Sequence, residues 1–240
     1  MSIIRPYEPV QVPYPMNERK RWLIVTAYAA AMALVESAAV LYLRTLGGRI
    51  QPYQPDPLPL TPQLARVELS REAATLAMIA AVGALAGRTW RSRLGYAAVV
   101  FGLWDILYYA FLRLMCGWPG SLADWDVLFL LPLPWWGPVW APMTVAALMV
   151  GAGTLISLFD EPGRPVWPVP RSLAVCFAGV ALALWAFMAG SLRALPAGVE
   201  GTWSVLPASF PWALFLAGAS LMSAPLWDLR SKVLKLKSPG

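Results

Sequence analysis

Apolar residues along the chain are grouped into six long stretches, separated by shorter segments rich in Pro, Gly and charged residues. The stretches cover residues 22–46, 64–87, 94–116, 138–159, 172–194 and 210–228. Each has about 20 residues, the length at which an α-helix spans the roughly 30 Å hydrocarbon core of a bilayer. The pattern therefore predicts an all-α integral membrane protein with six transmembrane helices.

The composition supports this interpretation and predicts one folded unit. Of the 240 residues, 58% are hydrophobic and only 13% are charged, whereas a typical soluble domain has about 25% charged residues. The six stretches leave no room for a separate soluble domain. We expect a single transmembrane domain over 22–228, preceded by a Pro- and Tyr-rich tail over 1–21 and followed by a basic tail over 229–240.

The basic residues predict the orientation of the helices. Thirteen of the 19 Lys and Arg residues fall in the two tails and in the second and fourth connections, and such residues collect on the cytoplasmic side of a membrane. We therefore expect both termini in the cytoplasm and the protein in a bacterial-type plasma (inner) membrane. The net charge of +6 follows from the same bias, so the predicted partner is the lipid bilayer with its anionic headgroups, not nucleic acid. Other membrane subunits or a second copy of the chain are alternatives that stay open.

The chain has no histidine, which excludes several kinds of site. His-ligated haem, His-rich di-iron centres and Ser-His or Cys-His catalysis all require that side chain. Cys116 and Cys176 fall at opposite ends of the predicted helices, too far apart for a disulfide. Any catalytic or ion-handling group must therefore be a carboxylate, Arg, Tyr, Ser, Thr or Cys.

Three carboxylates lie deep in the first three predicted helices. The string "LTPQL", with Thr61 as N-cap and Pro62 as first helical residue, marks the start of the second helix. At a rise of about 1.5 Å per residue, Glu36 and Glu72 are roughly 15 Å from the outer surface, and Asp105 is about 16 Å from it. A charge at this depth costs several kcal/mol and usually has a partner. We expect the three carboxylates to converge, within one shared ligand or water of each other.

Other polar side chains surround this level. Those on the same helices are Arg71, Glu68, Tyr108 and Tyr109. Arg71 is the one basic residue predicted at this depth, whereas Glu68 adds a fourth carboxylate one helical turn from Glu72. The surplus of negative charge must be neutralised by protons, by a bound cation or by a cationic ligand. Arg44 and Arg113 lie near the outer helix ends, where each either reaches lipid phosphate or forms the edge of an anion site.

The segment between the third and fourth helices is apolar but too short to cross the membrane. Ser121 and Asp124 have the spacing of a capping box, which starts a helix. We predict a short helix over 122–131 that enters from the outer face as a re-entrant or interfacial half-helix and then breaks at several prolines. Asp124 is expected to cap it, and Asp126 to guard the approach to the deep carboxylates.

Three functions are compatible with these features. In the first, an intramembrane enzyme acts on a lipid-like or other hydrophobic substrate, and Glu36, Glu72 and Asp105 bind a divalent cation or act as acid/base groups beside Arg71. Substrate contacts are then expected from Glu68, Tyr108, Tyr109, Asp126 and Arg113. In the second, the same carboxylates conduct protons or a cation. In the third, the chain is an accessory subunit of a larger membrane complex, and its polar residues only hold the helices together.

Overall fold

The computed structural model describes residues 17–55, 62–128, 133–198, 202 and 206–237. Its helices are α1 (Glu18–Leu46), α2 (Pro62–Ala86), α3 (Trp90–Cys116), α4 (Trp140–Phe159), α5 (Pro170–Ala194), α6 (Trp212–Met222) and α7 (Ala224–Lys237). A two-stranded antiparallel sheet, β1 (Trp125–Val127) and β2 (Trp136–Pro138), precedes α4, and a 3-10 turn (Leu195–Ala197) follows α5. Six helical stretches are long and apolar enough to cross a membrane, the last formed by α6 and α7 together. These six helices support the predicted polytopic membrane protein.

The helix boundaries lie within a few residues of those predicted for the first five spans. The sixth differs, because Ser223 forms a turn between α6 and α7, and α7 continues to Lys237, well beyond the predicted end at residue 228. Pro62 opens α2 as expected, while its predicted cap, Thr61, lies outside the described residues, as does the tail over 1–16. Both cysteines are free thiols.

Capping groups explain where α1 and α3 begin and end. The Asn17 side chain accepts a hydrogen bond from the backbone N–H of Arg19 at 2.9 Å, which satisfies one of the donors that the first turn of α1 leaves free. Thr89 and Ser92 form a reciprocal capping box at the start of α3. That helix ends at Gly117, whose φ of 75° is the left-handed conformation that favours glycine.

Helix α3 is the centre of the first half of the molecule. It packs against α1, α2 and α4, whereas α1 and α2 make few contacts with each other among the described residues. The approach of α3 to α4 requires small residues, since a Cβ on Gly153 would lie 2.5 Å from the carbonyl oxygen of Gly95. Helix α5 packs mainly on α6, and α7 contacts both α4 and α5. As a result, α1 and α2 flank α3 as two walls with a space between them.

The predicted half-helix over 122–131 is wrong for its described part, residues 122–128. Asp124 does not start a helix: its Oδ2 accepts the backbone N–H groups of Gly120 at 2.8 Å and Ser121 at 3.3 Å, which closes a turn. Asp and Ser side chains favour such turns as readily as helix caps. Residues 129–132, which include the rest of this prediction, lie outside the described residues.

Strand pairing replaces the helix because aromatic side chains pack across it. Trp125 of β1 stacks on Tyr53, with ring centroids 5.4 Å apart, and Trp136 of β2 meets the same ring edge-on at 6.0 Å. Aromatic residues pack well on a pleated surface, and such contacts override a weak helical preference. In this pairing Asp126 lies opposite Gly137. The β1–β2 hairpin is therefore held at the end of the bundle where α1 ends and α4 begins.

Candidate functional site

A cavity of about 200 Å³ is bounded by α1, α2, α3 and strand β1. Eight of the nine predicted site residues line it: Glu36, Glu68, Arg71, Glu72, Asp105, Tyr108, Tyr109 and Asp126. Glu36, Glu72 and Asp105 thus line the same cavity, but among the described residues no three carboxylates are grouped closely enough to share a metal ion. The ninth residue, Arg113, instead donates hydrogen bonds to the carbonyl oxygens of Gly117 at 2.5 Å and Pro119 at 2.9 Å. Its guanidinium is thus engaged by the backbone that follows α3, and it is not among the described residues that line the cavity.

Helical periodicity explains how α1 and α2 form two walls of the cavity. The lining positions on α1 and its C-cap are 36, 40, 43, 44 and 47, and those on α2 are 64, 68, 71, 72 and 75. Both sets have the same spacing, that of a single face of an α-helix. Each helix thus turns one stripe of mixed polar and apolar side chains towards the space between them, while α3 forms the third wall.

Arg71 connects the two walls. Its guanidinium forms an ion pair with Glu36 of α1 and a second ion pair with Glu68 on its own helix. The Glu68 Oε2 atom lies 2.7 Å from Nη2 and 3.0 Å from Nε of Arg71. The side chains of both glutamates are nearly buried. A planar guanidinium suits this task because it presents several N–H donors in a fixed fork. Arg71 is therefore placed to hold α1 and α2 together by charge where their direct contacts are few.

A second buried ion pair fixes the hairpin to the cavity. Arg44 of α1 donates from NH2 to Asp126 Oδ1 at 2.7 Å, and its guanidinium lies over the Trp118 ring at 4.2 Å. The backbone N–H of Val127 donates to the same carboxylate oxygen at 2.9 Å. Burial raises the pKa of Asp126 above its ordinary value, although the Arg44 charge and the Val127 N–H oppose that rise. Asp126 thus lines the cavity and is engaged by Arg44.

Asp105 has a different environment. Its Oδ2 atom is buried and has no hydrogen-bond partner among the described residues. The aromatic side chains of Trp104, Tyr108 and Tyr109, on the same turn or the next, line the same cavity, and the two tyrosine rings pack edge to face at 5.0 Å. Buried polar atoms normally have a partner, so an unsatisfied carboxylate oxygen in a cavity points to a function in binding or proton transfer.

Several cavity residues were not identified from the sequence. Arg44 was expected to reach lipid phosphate or an anion, and Arg49, Thr75 and Trp104 were not considered, yet all four line the cavity. A signal for Arg44 was available, because it lies two helical turns after Glu36 on the same face. Its contribution corrects the predicted charge balance. Among the described residues, five carboxylates and three guanidinium groups line the cavity, so the surplus of negative charge is two if all are ionised.

The cavity ends on a hydrophobic cluster. Beyond its deepest residues, towards the beginning of α1, the three helices pack through a core that includes Val25, Ala29, Met32, Ile79 and Val100. This packing separates the cavity from the membrane face where α1 begins. The space can therefore receive a ligand from the opposite face or from the side.

The donor set does not favour a metal. Across the described ranges, no three His, Cys, Asp or Glu side chains are grouped closely enough to hold a metal ion, and a hard divalent cation takes six or more oxygen ligands. Glu36 is already paired with Arg71. The arrangement is better suited to accept a proton or a positively charged group at Asp105. No family model matches the chain, and neither the curated proteins nor the solved structures contain a match to it.

Proposed function

We propose that this polytopic membrane protein binds a lipid-like or otherwise hydrophobic substrate in the cavity and acts on it by acid/base chemistry, with Asp105 as the proton acceptor. The observation that carries the proposal is the buried Oδ2 atom of Asp105, which has no hydrogen-bond partner among the described residues and lies in a cavity. A general base needs a carboxylate that is free to receive the substrate's proton and is shielded from bulk water.

The other cavity residues would support Asp105 without taking its role. Glu36 and Glu68 are engaged by Arg71, and Asp126 is engaged by Arg44, so guanidinium groups already occupy these carboxylates. Carboxylates that lie close together favour a proton on one of them. Tyr108 and Tyr109 border the same space and supply hydroxyl groups that can orient a polar substrate group. Arg71 is a positioning residue in this proposal.

The two other functions receive unequal support. Conduction of protons or cations would require a route past the hydrophobic cluster below the cavity, and the packing there opposes it. A structural role in an accessory subunit is favoured by one observation, because the Arg71–Glu36 pair links α1 to α2 in the way that polar contacts hold membrane helices together. Such a role predicts that Asp105 can be replaced without consequence.

We also propose that both termini are cytoplasmic in a bacterial-type inner membrane, with one transmembrane domain over 22–228 and short tails on either side. Of the 18 basic residues in the described part of the chain, twelve lie at the bundle end where α1 begins and α7 finishes. The other six are Arg44, Arg49, Arg66, Arg71, Arg113 and Arg193. This asymmetry is what the positive-inside rule associates with the cytoplasmic face.

Labelling with a hydrophobic carbodiimide tests the proton-accepting role. The reagent adds to a protonated carboxyl group in an apolar environment and leaves a stable N-acylurea that peptide mass spectrometry locates. We expect dicyclohexylcarbodiimide to modify Asp105 in the purified protein, increasingly as the pH is lowered. The modification should disappear in Asp105→Asn and persist in Glu161→Gln, a control at an exposed carboxylate remote from the cavity. Labelling confined to exposed acids would contradict the proposal and favour the structural role.

A further inference from the structure

We propose that the ligand of this cavity is a hydrophobic amine, meaning a molecule with a terminal ammonium group and an apolar chain; this inference rests on the proposed function and names its substrate class. The charge of the cavity is the first reason. Five carboxylates face three guanidinium groups, and a surplus of buried negative charge is relieved by a cationic occupant. A carboxylate-bearing ligand would add to that surplus, and a neutral one would leave it unchanged.

The chemistry around Asp105 is the second reason. An ammonium group presents N–H donors and a positive charge, and it is recognised by a carboxylate together with aromatic faces. The sequence "WDILYY" supplies both from one stretch of α3: Asp105 with its unsatisfied Oδ2 atom, and the rings of Trp104, Tyr108 and Tyr109. Trp104 and Tyr109 are almost fully buried, so the rings are fixed in place by packing. The recognition elements are therefore built into the helix.

The size of the cavity is the third reason. A volume of about 200 Å³ is smaller than the roughly 300–1,000 Å³ of a typical small-molecule pocket. That space accommodates a compact head group but not an entire lipid. A hydrophobic ligand must therefore place its chain elsewhere.

The gap between α1 and α2 offers a route for that chain. These helices make few direct contacts, and the cavity wall between them includes apolar Val40 and Leu43 on α1 and Leu64 on α2. Val67, one turn from Leu64, is 56% exposed on the outer surface of the bundle, where a membrane helix contacts lipid. A chain leaving the cavity here would pass from apolar side chains directly into hydrocarbon.

Matched ligands test the proposal. Decylammonium, decanol and decanoate share one chain and differ in the charge of the head group, while ethylammonium keeps the charge and lacks the chain. Calorimetric titration of the full-length protein in dodecyl maltoside micelles, corrected with empty micelles, should show that decylammonium binds at least about tenfold more tightly than decanol and decanoate, the factor expected from one hydrogen bond to a charged group. It should also bind at least about tenfold more tightly than ethylammonium, because ethylammonium lacks the CH2 groups whose burial stabilises the complex. Asp105→Asn should lose about that factor, whereas Glu161→Gln should bind as the unchanged protein does.

A second measurement needs no variant. Decylammonium should protect Asp105 of the unchanged protein from carbodiimide labelling, and decanol and decanoate should not. Preferential binding of decanol or decanoate overturns the amine assignment, even when Asp105 is labelled and the proposed function stands. Equal binding of ethylammonium overturns the need for a chain. Absence of both labelling and ligand binding overturns the proposed function as well.

Discussion

Replacement of Arg71 by Leu tests whether the ion pairs in the cavity wall are structural. In the unchanged protein one guanidinium serves Glu36 on α1 and Glu68 on α2. Arg71→Leu removes this guanidinium and leaves both nearly buried carboxylates without their ion-pair partner. Removing one partner of a buried ion pair typically costs about 3–5 kcal/mol. We therefore expect a decrease of that size in the free energy of unfolding at pH 7.

The cost of protonating a glutamate has the same magnitude and depends on pH. In the folded variant, a glutamate without Arg71 can avoid being a buried charge by taking up a proton. With an ordinary pKa of about 4.3, this protonation costs about 3.7 kcal/mol at pH 7 and about 1.4 kcal/mol less for each pH unit below 7. The folded variant then binds more protons than the folded unchanged protein, so acidification favours the variant. The deficit of Arg71→Leu should shrink by about 2.7 kcal/mol between pH 7 and pH 5.

The assay is reversible unfolding in detergent micelles, followed by tryptophan fluorescence from pH 5 to pH 8. Arg193→Leu is the matched control, since Arg193 is exposed near the end of α5 and such surface changes usually stay within about 0.5 kcal/mol. Arg71→Lys, which keeps the charge but loses the fork of donors, should fall between the two. Glu72→Gln should be mild, because it removes one charge from a cavity with a negative surplus. The ion pairs of Arg71 are not structural if Arg71→Leu matches Arg193→Leu, if its deficit does not change with pH, or if Glu72→Gln is the more damaging variant.

Two further predictions concern the hairpin and the orientation. Because burial raises the pKa of Asp126, the folded state keeps this proton at pH values where the unfolded chain has released it. The free energy of unfolding should therefore fall as the pH rises from about 3.9, the ordinary Asp value, through the raised pKa. Asp126→Asn should remove this part of the dependence of the free energy of unfolding on pH, and an unchanged dependence would contradict the prediction. For orientation, Lys237→Cys in a background without Cys116 and Cys176 should react with a membrane-impermeant maleimide only in inverted vesicles, and labelling in intact cells would reverse the proposed topology.

The parts of the structure that the sequence predicts well are those that depend on distance along one helix. A fixed rise per residue and a bilayer of known thickness place Glu36, Glu72 and Asp105 at one level, and the structure places all three on one cavity. The cost of burying charge in hydrocarbon then makes a common cavity the expected outcome. No knowledge of the helix arrangement was needed beyond adjacency.

The parts that failed depend on contacts between distant segments. The hairpin forms because Trp125 stacks on Tyr53. Arg44 enters the cavity because it pairs with Asp126, which lies 82 positions further along the chain. Neither partner can be assigned from a single sequence, since local signals such as Ser121 and Asp124 fit a turn as well as a helix cap. Arg44 near a helix end has the usual pattern of a side chain that reaches the headgroups. Only the packed structure shows that it turns inward.

The corrected charge balance has a consequence for how ligand and proton act together. Arg44 and Arg49 reduce the surplus, but five carboxylates against three guanidinium groups among the described residues would still leave two negative charges in excess if all were ionised. A ligand with one ammonium group neutralises one of them, so a proton on another carboxylate remains the simplest way to neutralise the second. If the empty cavity holds two protons on its carboxylates, binding of a hydrophobic amine should then displace one of them. Ligand affinity should rise with pH over the range in which that proton is lost, up to the pH at which the amine itself becomes neutral.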